Sequence, residues 1–113
     1  MTKGTRLGRP DHDAAACAAV GRAFGLLGKR WNGLIIAVLG PRAIGFAELR
    51  RRIGPISDSV LSDRLGELAE AGVVERSVTD TRPPGVRYGL TPAGQALLPI
   101  LDQVADWAEE HLG

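Results

Sequence analysis

The spacing of apolar residues after position 45 predicts two short helices separated by a turn. Phe46, Leu49 and Ile53 recur at i, i+3 and i+7, so they share one face of the first helix. Gly54 permits a positive φ and, with the proline that follows it, ends that helix. Ser57 is the expected N-cap of the second helix. The predicted buried stripe of the second helix comprises Val60, Leu61, Leu65, Leu68 and Ala69.

A small β-hairpin is predicted directly after the second helix. Residues 73–78 alternate between apolar and polar types as in a half-exposed strand, and residues 86–90 can pair with them. The exposed turn between the strands, residues 79–85, carries Arg82, while Arg87 lies on the returning strand. Two helices around a turn, followed by a hairpin, are the plan of a winged helix-turn-helix. We therefore predict a fold that is mainly α with a small β-hairpin.

This plan makes the second helix and the hairpin a candidate interface with double-stranded DNA. The second helix of such a motif enters the major groove, where small polar side chains can approach base edges and Arg64 could contact a phosphate or a guanine. The candidate DNA-binding residues are Arg50, Arg51, Ser57, Ser59, Ser62, Asp63, Arg64, Arg82 and Arg87. The alternative is that the polar face of the second helix is simply solvated.

Taken together, these features resemble the HxlR-type winged-helix regulators of bacteria, which are relatives of the MarR group. The matching segments include Cys17 and residues 27–31, 40–42, 46–51, 56–57, 72–76 and 88–91. The resemblance covers about residues 17–112 and implies a dimeric DNA-binding transcription factor. Two departures stand out: Ala18 replaces the proline that usually follows the cysteine, and Asp58 and Asp63 stand where Gln or Lys is frequent. Because carboxylates weaken phosphate attraction, we expect an operator unlike the family's usual ones.

Three further helices are predicted around the motif, at residues 14–27, 31–39 and 91–112. The helix at 31–39 is so continuously apolar that we expect it to be buried all round, with Trp31 as a core anchor. The last helix begins at Thr91 as N-cap, with proline at its first position. The apolar stripe of the first helix is Cys17, Val20, Phe24 and Leu27. The residues expected to face inward on the last helix are Leu97, Ile100, Leu101, Val104, Ala105, Trp107 and Ala108.

The apolar stripes of the first and last helices predict N- and C-terminal dimerisation helices. A compact DNA-reading unit of this size can bury only part of both stripes, so the surplus favours a homodimer built from the two ends. A two-fold dimer presents two reading helices about one DNA turn, ~34 Å, apart and therefore recognises an inverted repeat. The alternative is that both stripes pack on the core of their own chain.

The chain is predicted to consist of a flexible arm at residues 1–13 and one folded domain at residues 14–113. Lys3, Arg6 and Arg9 of the arm could contact DNA phosphates. The arm has no apolar core of the kind found in signal peptides, and no run approaches the ~18 apolar residues of a membrane span. We therefore expect a cytoplasmic protein that does not associate with membranes.

The charges are unevenly distributed, although the net charge of the chain is only +1. Residues 1–53 carry ten basic and three acidic side chains, a net +7, whereas residues 54–113 carry four arginines and ten carboxylates, a net −6. Affinity for nucleic acid depends on the local patch and not on the total. We expect a basic surface and an acidic far side, the alternative being that the charges mix on folding.

The single cysteine, Cys17, allows no intrachain disulfide and has two interpretations. The family resemblance implies a possible redox or electrophile sensor, because a thiol near a helix N-terminus is favoured as thiolate. Its position on the apolar stripe favours instead a buried packing thiol, which is inert. A small-molecule effector is therefore a possible partner.

The sequence does not suggest an enzyme. His12 and His111 have no neighbours with metal-ligand spacing, and the chain has no Gly-rich phosphate loop or nucleophile elbow. No catalytic residue, metal site or cofactor is therefore predicted. The alternative to a DNA-binding regulator is a winged-helix module that acts mainly as a small-molecule or redox sensor, or as a protein-interaction domain, with weak DNA affinity.

Overall fold

The computed structural model of the chain describes Leu7 and residues 13–113. The chain divides into two compact units, Met1–Arg30 and Trp31–Gly113. The elements of the described residues, in chain order, are α1 Ala14–Leu27, α2 Asn32–Leu39, β1 Ile44–Gly45, α3 Phe46–Ile53, α4 Asp58–Glu70, β2 Val74–Val78, β3 Val86–Leu90 and α5 Pro92–His111. The fold is therefore mainly helical with a small sheet, as predicted. The predicted arm contacts of Lys3, Arg6 and Arg9 lie outside the described residues.

The first unit contains α1, which begins at Asp13 as its N-cap. The Asp13 carboxylate accepts a hydrogen bond from the backbone N–H of Ala16 at 3.1 Å, which satisfies one of the free amides of the first turn. The expectation of a buried thiol is wrong for the single chain, because Cys17 is exposed. Phe24, on the same stripe, is 64% exposed. No other helix or strand among the described residues of this unit could cover the stripe.

The second unit begins with Trp31 and α2. Trp31 has a left-handed backbone (φ 82°), so α2 starts at Asn32 and not at Trp31 as predicted. Trp31, which the sequence predicted as a core anchor, is half-buried and not enclosed on all sides. α2 is not buried all round either, because Leu34 is 44% exposed. The fully buried side chains of α2 are Asn32, Ile35, Ile36 and Leu39.

The helix-turn-helix has the predicted boundaries, and its local chemistry explains them. Gly54 ends α3 with a φ of 101°, a conformation in which any side chain would be strained. The Ser57 hydroxyl then caps α4 by accepting from the backbone N–H of Val60 at 3.1 Å. α4 buries Leu61, Leu65 and Leu68, as predicted. Ala69, in contrast, is exposed, so the buried stripe of α4 is narrower than the sequence suggested.

The hairpin belongs to a three-stranded antiparallel sheet of order β1-β3-β2. β2 starts at Val74, one residue later than predicted, and pairs with β3 in the register Arg76↔Tyr88. β1 pairs with the other edge of β3, where Ile44 lies opposite Tyr88. The sequence prediction of two strands was therefore incomplete, because a strand of two residues has no periodicity to detect.

The last helix, α5, is anchored at its start and exposed along its length. The Thr91 hydroxyl accepts from the N–H of Gly94 at 3.2 Å and donates to the carbonyl of Gly72 at 2.6 Å. Gly94 is required here, because a Cβ would overlap the carbonyl oxygen of Val73. The expectation of an inward apolar face holds only in part for the single chain. Leu97, Leu101 and Ala108 are half-buried, whereas three large residues of the predicted face are more than half exposed. They are Ile100 (54%), Val104 (52%) and Trp107 (54%).

Among the described helices, none combines the length and the apolar character that crossing a membrane requires.

Candidate nucleic-acid interface

The outward side of α4 is formed by four small or polar residues, which we name the reading face: Ser59, Ser62, Asp63 and Gly66. They recur at i, i+3, i+4 and i+7 and therefore lie on one side of the helix, opposite the buried leucines. All four are exposed, as the sequence predicted. None of the four side chains reaches far from the helix, so a surface that docks here can approach the α4 backbone closely.

Arg64 lies beside the reading face and not on it. Its guanidinium donates to the Glu67 carboxylate at 3.3 Å, one turn further along α4. The Arg64 side chain is 25% exposed, so its position is fixed partly by packing. A contact between Arg64 and DNA, as predicted from the sequence, would have to compete with this ion pair.

A second ion pair links the two helices of the motif across their turn. The Arg50 guanidinium lies 3.0 Å from the Asp58 carboxylate, joining the end of α3 to the first turn of α4. Asp58 is thereby neutralised by a neighbouring arginine, and it also lies where the helix dipole favours a negative charge. Arg51, next along α3, is exposed and has no ion-pair partner among the residues that the structure describes.

A third cluster, at the start of α3, was not predicted from the sequence. The Glu48 carboxylate accepts from Arg42 at 3.0 Å and from Arg52 at 3.1 Å. Burial of the carboxyl acts to raise the pKa of Glu48, but the charges and hydrogen bonds of the two arginines outweigh it and hold that pKa below its usual value. The i,i+4 spacing of Glu48 and Arg52 was a detectable signal. Arg42 precedes the helix, so its contact depends on the fold.

The hairpin between β2 and β3 is the wing of the fold, and it is held closed at its base. The Thr79 hydroxyl accepts from the N–H of Gly85 at 2.8 Å, and the Thr79 N–H donates to the Gly85 carbonyl at 2.8 Å. Arg82 is exposed in the loop beyond these bonds. Arg87 on β3 donates to the carbonyl of Ala43 at 3.4 Å, so its guanidinium is held near the start of the motif.

An open groove of about 370 Å³ separates the wing from the start of α3. Its lining residues are Gly45, Phe46, Ala47, Glu48, Thr79, Thr81, Gly85, Val86 and Arg87. Arg87 of the wing and Glu48 of α3 are thus neighbours in the fold, although more than thirty positions separate them in the sequence. Of the predicted DNA-binding residues, Arg87 is the one that lines this groove. Over the described part of the chain, no three His, Cys, Asp or Glu side chains come together in a group that could hold a metal ion.

Comparison with known proteins identifies close relatives. The family model of HxlR-like helix-turn-helix proteins matches residues 26–113. The HTH-type transcriptional regulator YodB of Bacillus subtilis is 44% identical over 96 residues, which are 83% of this chain and 84% of YodB. The reduced form of YodB superimposes with a TM-score of 0.79 at 42% identity, covering 84% of this chain and 93% of that one. The quinone-bound form of YodB superimposes with a TM-score of 0.74 at 41% identity, covering 83% of this chain and 98% of that one.

Proposed function

The chain belongs to the HxlR-like helix-turn-helix family and is a transcriptional regulator of that type, and we propose that it acts as a homodimer on an inverted repeat in double-stranded DNA. The observation that carries the proposal is the reading face of α4, which is exposed and composed of short side chains. Such a face suits the floor of a major groove, where long side chains would hold the helix away from the bases. A protein of this function works in the cytoplasm of a bacterium.

The proposed division of labour separates base reading from backbone contact. Ser59 and Ser62 have hydroxyls that can donate to or accept from base edges. Arg51 and Arg82 are exposed cations that can reach phosphates on either side of the groove. Arg87 would contact the backbone from the root of the wing. Arg50 and Arg64 are paired with carboxylates, so we assign them mainly to positioning α4.

The proposed dimer rests on the apolar face of α5. Ile100, Val104 and Trp107 are each more than half exposed in the single chain, and they recur along one helix. Monomeric proteins rarely leave contiguous apolar patches of this kind in contact with water. A second copy of the same chain is the natural cover, because a two-fold axis brings identical patches together. The resulting two reading faces would fit half-sites ~34 Å apart.

A gel shift with duplexes from the chain's own promoter region tests the proposal. We expect a complex at low salt that an excess of unrelated DNA does not displace. A double substitution of Ser59 and Ser62 by Glu should abolish the complex by repulsion from the phosphates, while Glu70→Gln, at the far end of α4, should leave a complex in place. The absence of any shift at low salt would favour the alternative, a sensor or protein-interaction module with weak DNA affinity.

A thiol-based response through Cys17 is a second candidate function. It is favoured by the exposure of Cys17 on α1 and by the quinone-bound state of the similar protein YodB. The Cys17 thiolate would add to a ring carbon of the quinone, forming a C–S bond. One quinone oxygen would take a proton from water and the other the hydrogen lost from the attacked carbon, which leaves a hydroquinone joined to sulfur. With one cysteine in each chain, a disulfide would have to form between two chains or with a small thiol.

Treatment with a quinone or with diamide tests this second function. We expect either reagent to lower DNA affinity of the wild type, whereas Cys17→Ser should bind DNA normally and ignore both reagents. A thiol that reacts with a soluble probe only after denaturation would contradict the sensing role. It would indicate that a partner copy covers Cys17 and that the residue serves packing.

A further inference from the structure

The carboxylates of α4 differ in whether the protein itself neutralises them. Asp58 pairs with Arg50 at 3.0 Å, and Glu67 pairs with Arg64 at 3.3 Å. Asp63 is exposed in the middle of the reading face, and the described part of the chain provides it with no hydrogen-bond or ion-pair partner. At the centre of the reading face, Asp63 therefore presents an unpaired carboxylate to an approaching molecule.

Glu70 is the natural comparison for Asp63. It is also exposed and turned to the same side of α4, eleven positions after Ser59. However, Glu70 is the last residue of the helix, whereas base edges are read from the first turns of a recognition helix. The two carboxylates thus share a charge and a helix but differ in their expected distance from the bases.

Gly66 supports a close approach at this point of the helix. A Cβ at Gly66 would meet no atom within 4 Å, so neither packing nor backbone conformation within the chain requires a glycine. Glycine inside a helix costs about 1 kcal/mol relative to alanine. Without a Cβ at Gly66, the α4 backbone one turn beyond Ser62 and Asp63 is open to close approach by a docked surface.

The chemistry of a carboxylate restricts what it can contact in the major groove. An ionised carboxylate only accepts hydrogen bonds, and phosphates repel it. Guanine presents two acceptors and thymine an acceptor with a methyl group, while adenine has an acceptor next to its amine. Cytosine is the base whose own groove edge offers a donor alone, its 4-amino group.

We propose that Asp63 is a specificity-determining residue that accepts a hydrogen bond from the 4-amino group of a cytosine in each half-site. The inference rests on the proposed DNA-binding function and adds the base that the reading face selects. Asp63 lowers affinity for DNA in general through its charge and recovers that loss only where a cytosine amine meets it. The exposed carboxylate thereby lowers the affinity for sequences that lack this cytosine.

Selection of randomised half-sites by the purified full chain, followed by affinity measurements, tests the proposal. The wild type should prefer one C·G pair per half-site over T·A by about tenfold. Asp63→Asn should move this preference to adenine, because an amide pairs with both the amine and the ring nitrogen of that base. Glu70→Gln, the matched control, should leave the preference for cytosine unchanged.

The possible results are distinguishable from one another. If Asp63→Asn strengthens binding to all sequences by the same factor and leaves every base preference in place, Asp63 acts only through its charge and the proposal is overturned while DNA binding stands. If the wild type selects no sequence at all, the proposed function itself fails, and with it this inference. Circular dichroism melting should confirm that both exposed-site variants are folded.

Discussion

The helices α4 and α5 are both amphipathic and belong to the same unit, yet the chain covers the apolar face of only one of them. The leucines of α4, namely Leu61, Leu65 and Leu68, are at most 2% exposed. On α5, three large residues are more than half exposed along two turns, namely Ile100, Val104 and Trp107. The apolar face of α4 is therefore buried within the chain, whereas part of the apolar face of α5 is exposed.

This difference supports the two tasks that we propose for the helices. α4 is held rigidly by its buried side, so its short polar side chains can be presented to a groove in a fixed geometry. α5 carries more apolar surface than its own chain covers, which suits association with a second copy.

Truncation of the core should give the largest effect. Leu68→Ala removes a fully buried side chain of α4, so we expect the free energy of unfolding to fall by about 3 kcal/mol at every protein concentration. Ile100→Ala on α5 should cost stability only at concentrations where the dimer forms. Urea denaturation at two protein concentrations distinguishes the two variants. If Ile100→Ala lowers the free energy of unfolding equally at both concentrations, the proposed difference between α4 and α5 is wrong.

A charge on the exposed face of α5 should separate the dimer. Val104→Asp places a carboxylate in the proposed interface, so we expect sedimentation to give a monomer and affinity for an inverted repeat to fall at least tenfold, about 1.4 kcal/mol or more. Val78→Asp is the control for association, because Val78 is also more than half exposed but lies on β2. A dimer that survives Val104→Asp would mean that α5 does not form the interface.

Arg82 of the wing and Ser62 of the reading face should affect DNA binding in different ways. Arg82→Ala removes one proposed phosphate contact, so we expect all sequences to bind several-fold more weakly and the salt slope to fall by about one unit. Ser62→Ala should change the ranking of sequences and leave the salt slope unchanged. A titration at several salt concentrations measures both, and the reverse pattern would mean that the reading element has been assigned wrongly.

The Glu48 cluster should have the smallest effect, which depends on pH. The pKa of Glu48 is lowered in the folded chain, so its contribution to stability is complete above the usual glutamate value of about 4.3 and is lost as pH falls through the lowered value. Glu48→Gln should therefore unfold at lower urea than the wild type at pH 7, and the difference should be smaller at pH 3. An equal difference at both pH values would mean that the arginines do not act on the Glu48 charge.

Sequence reasoning worked best where a local chemical signal fixed the structure. Ser57 and Thr91 begin their helices with side chains that cap the first turn, and Gly54 ends α3 with a positive φ. These features depend on neighbouring residues alone. The order of elements in a winged helix-turn-helix followed from them and from the spacing of apolar residues.

What the sequence could not supply depends on contacts between distant residues. β1 contains two residues and exists because Ile44 pairs with Tyr88. Apolar spacing predicted which residues of α5 share a face, but spacing does not reveal what covers that face, and in the single chain Ile100, Val104 and Trp107 are more than half exposed. The pairing of Arg50 with Asp58 likewise required the turn between the helices to be known.

The mass of the protein–DNA complex tests the central claim most directly. Sedimentation equilibrium or light scattering should be measured on the full chain with a duplex selected by the protein, and with a duplex carrying one half-site alone. We predict two copies of the chain on the full inverted repeat and a much weaker complex on the half-site. One copy per duplex with equal affinity for both DNAs would contradict the account, because the exposed face of α5 would then have no role in DNA recognition.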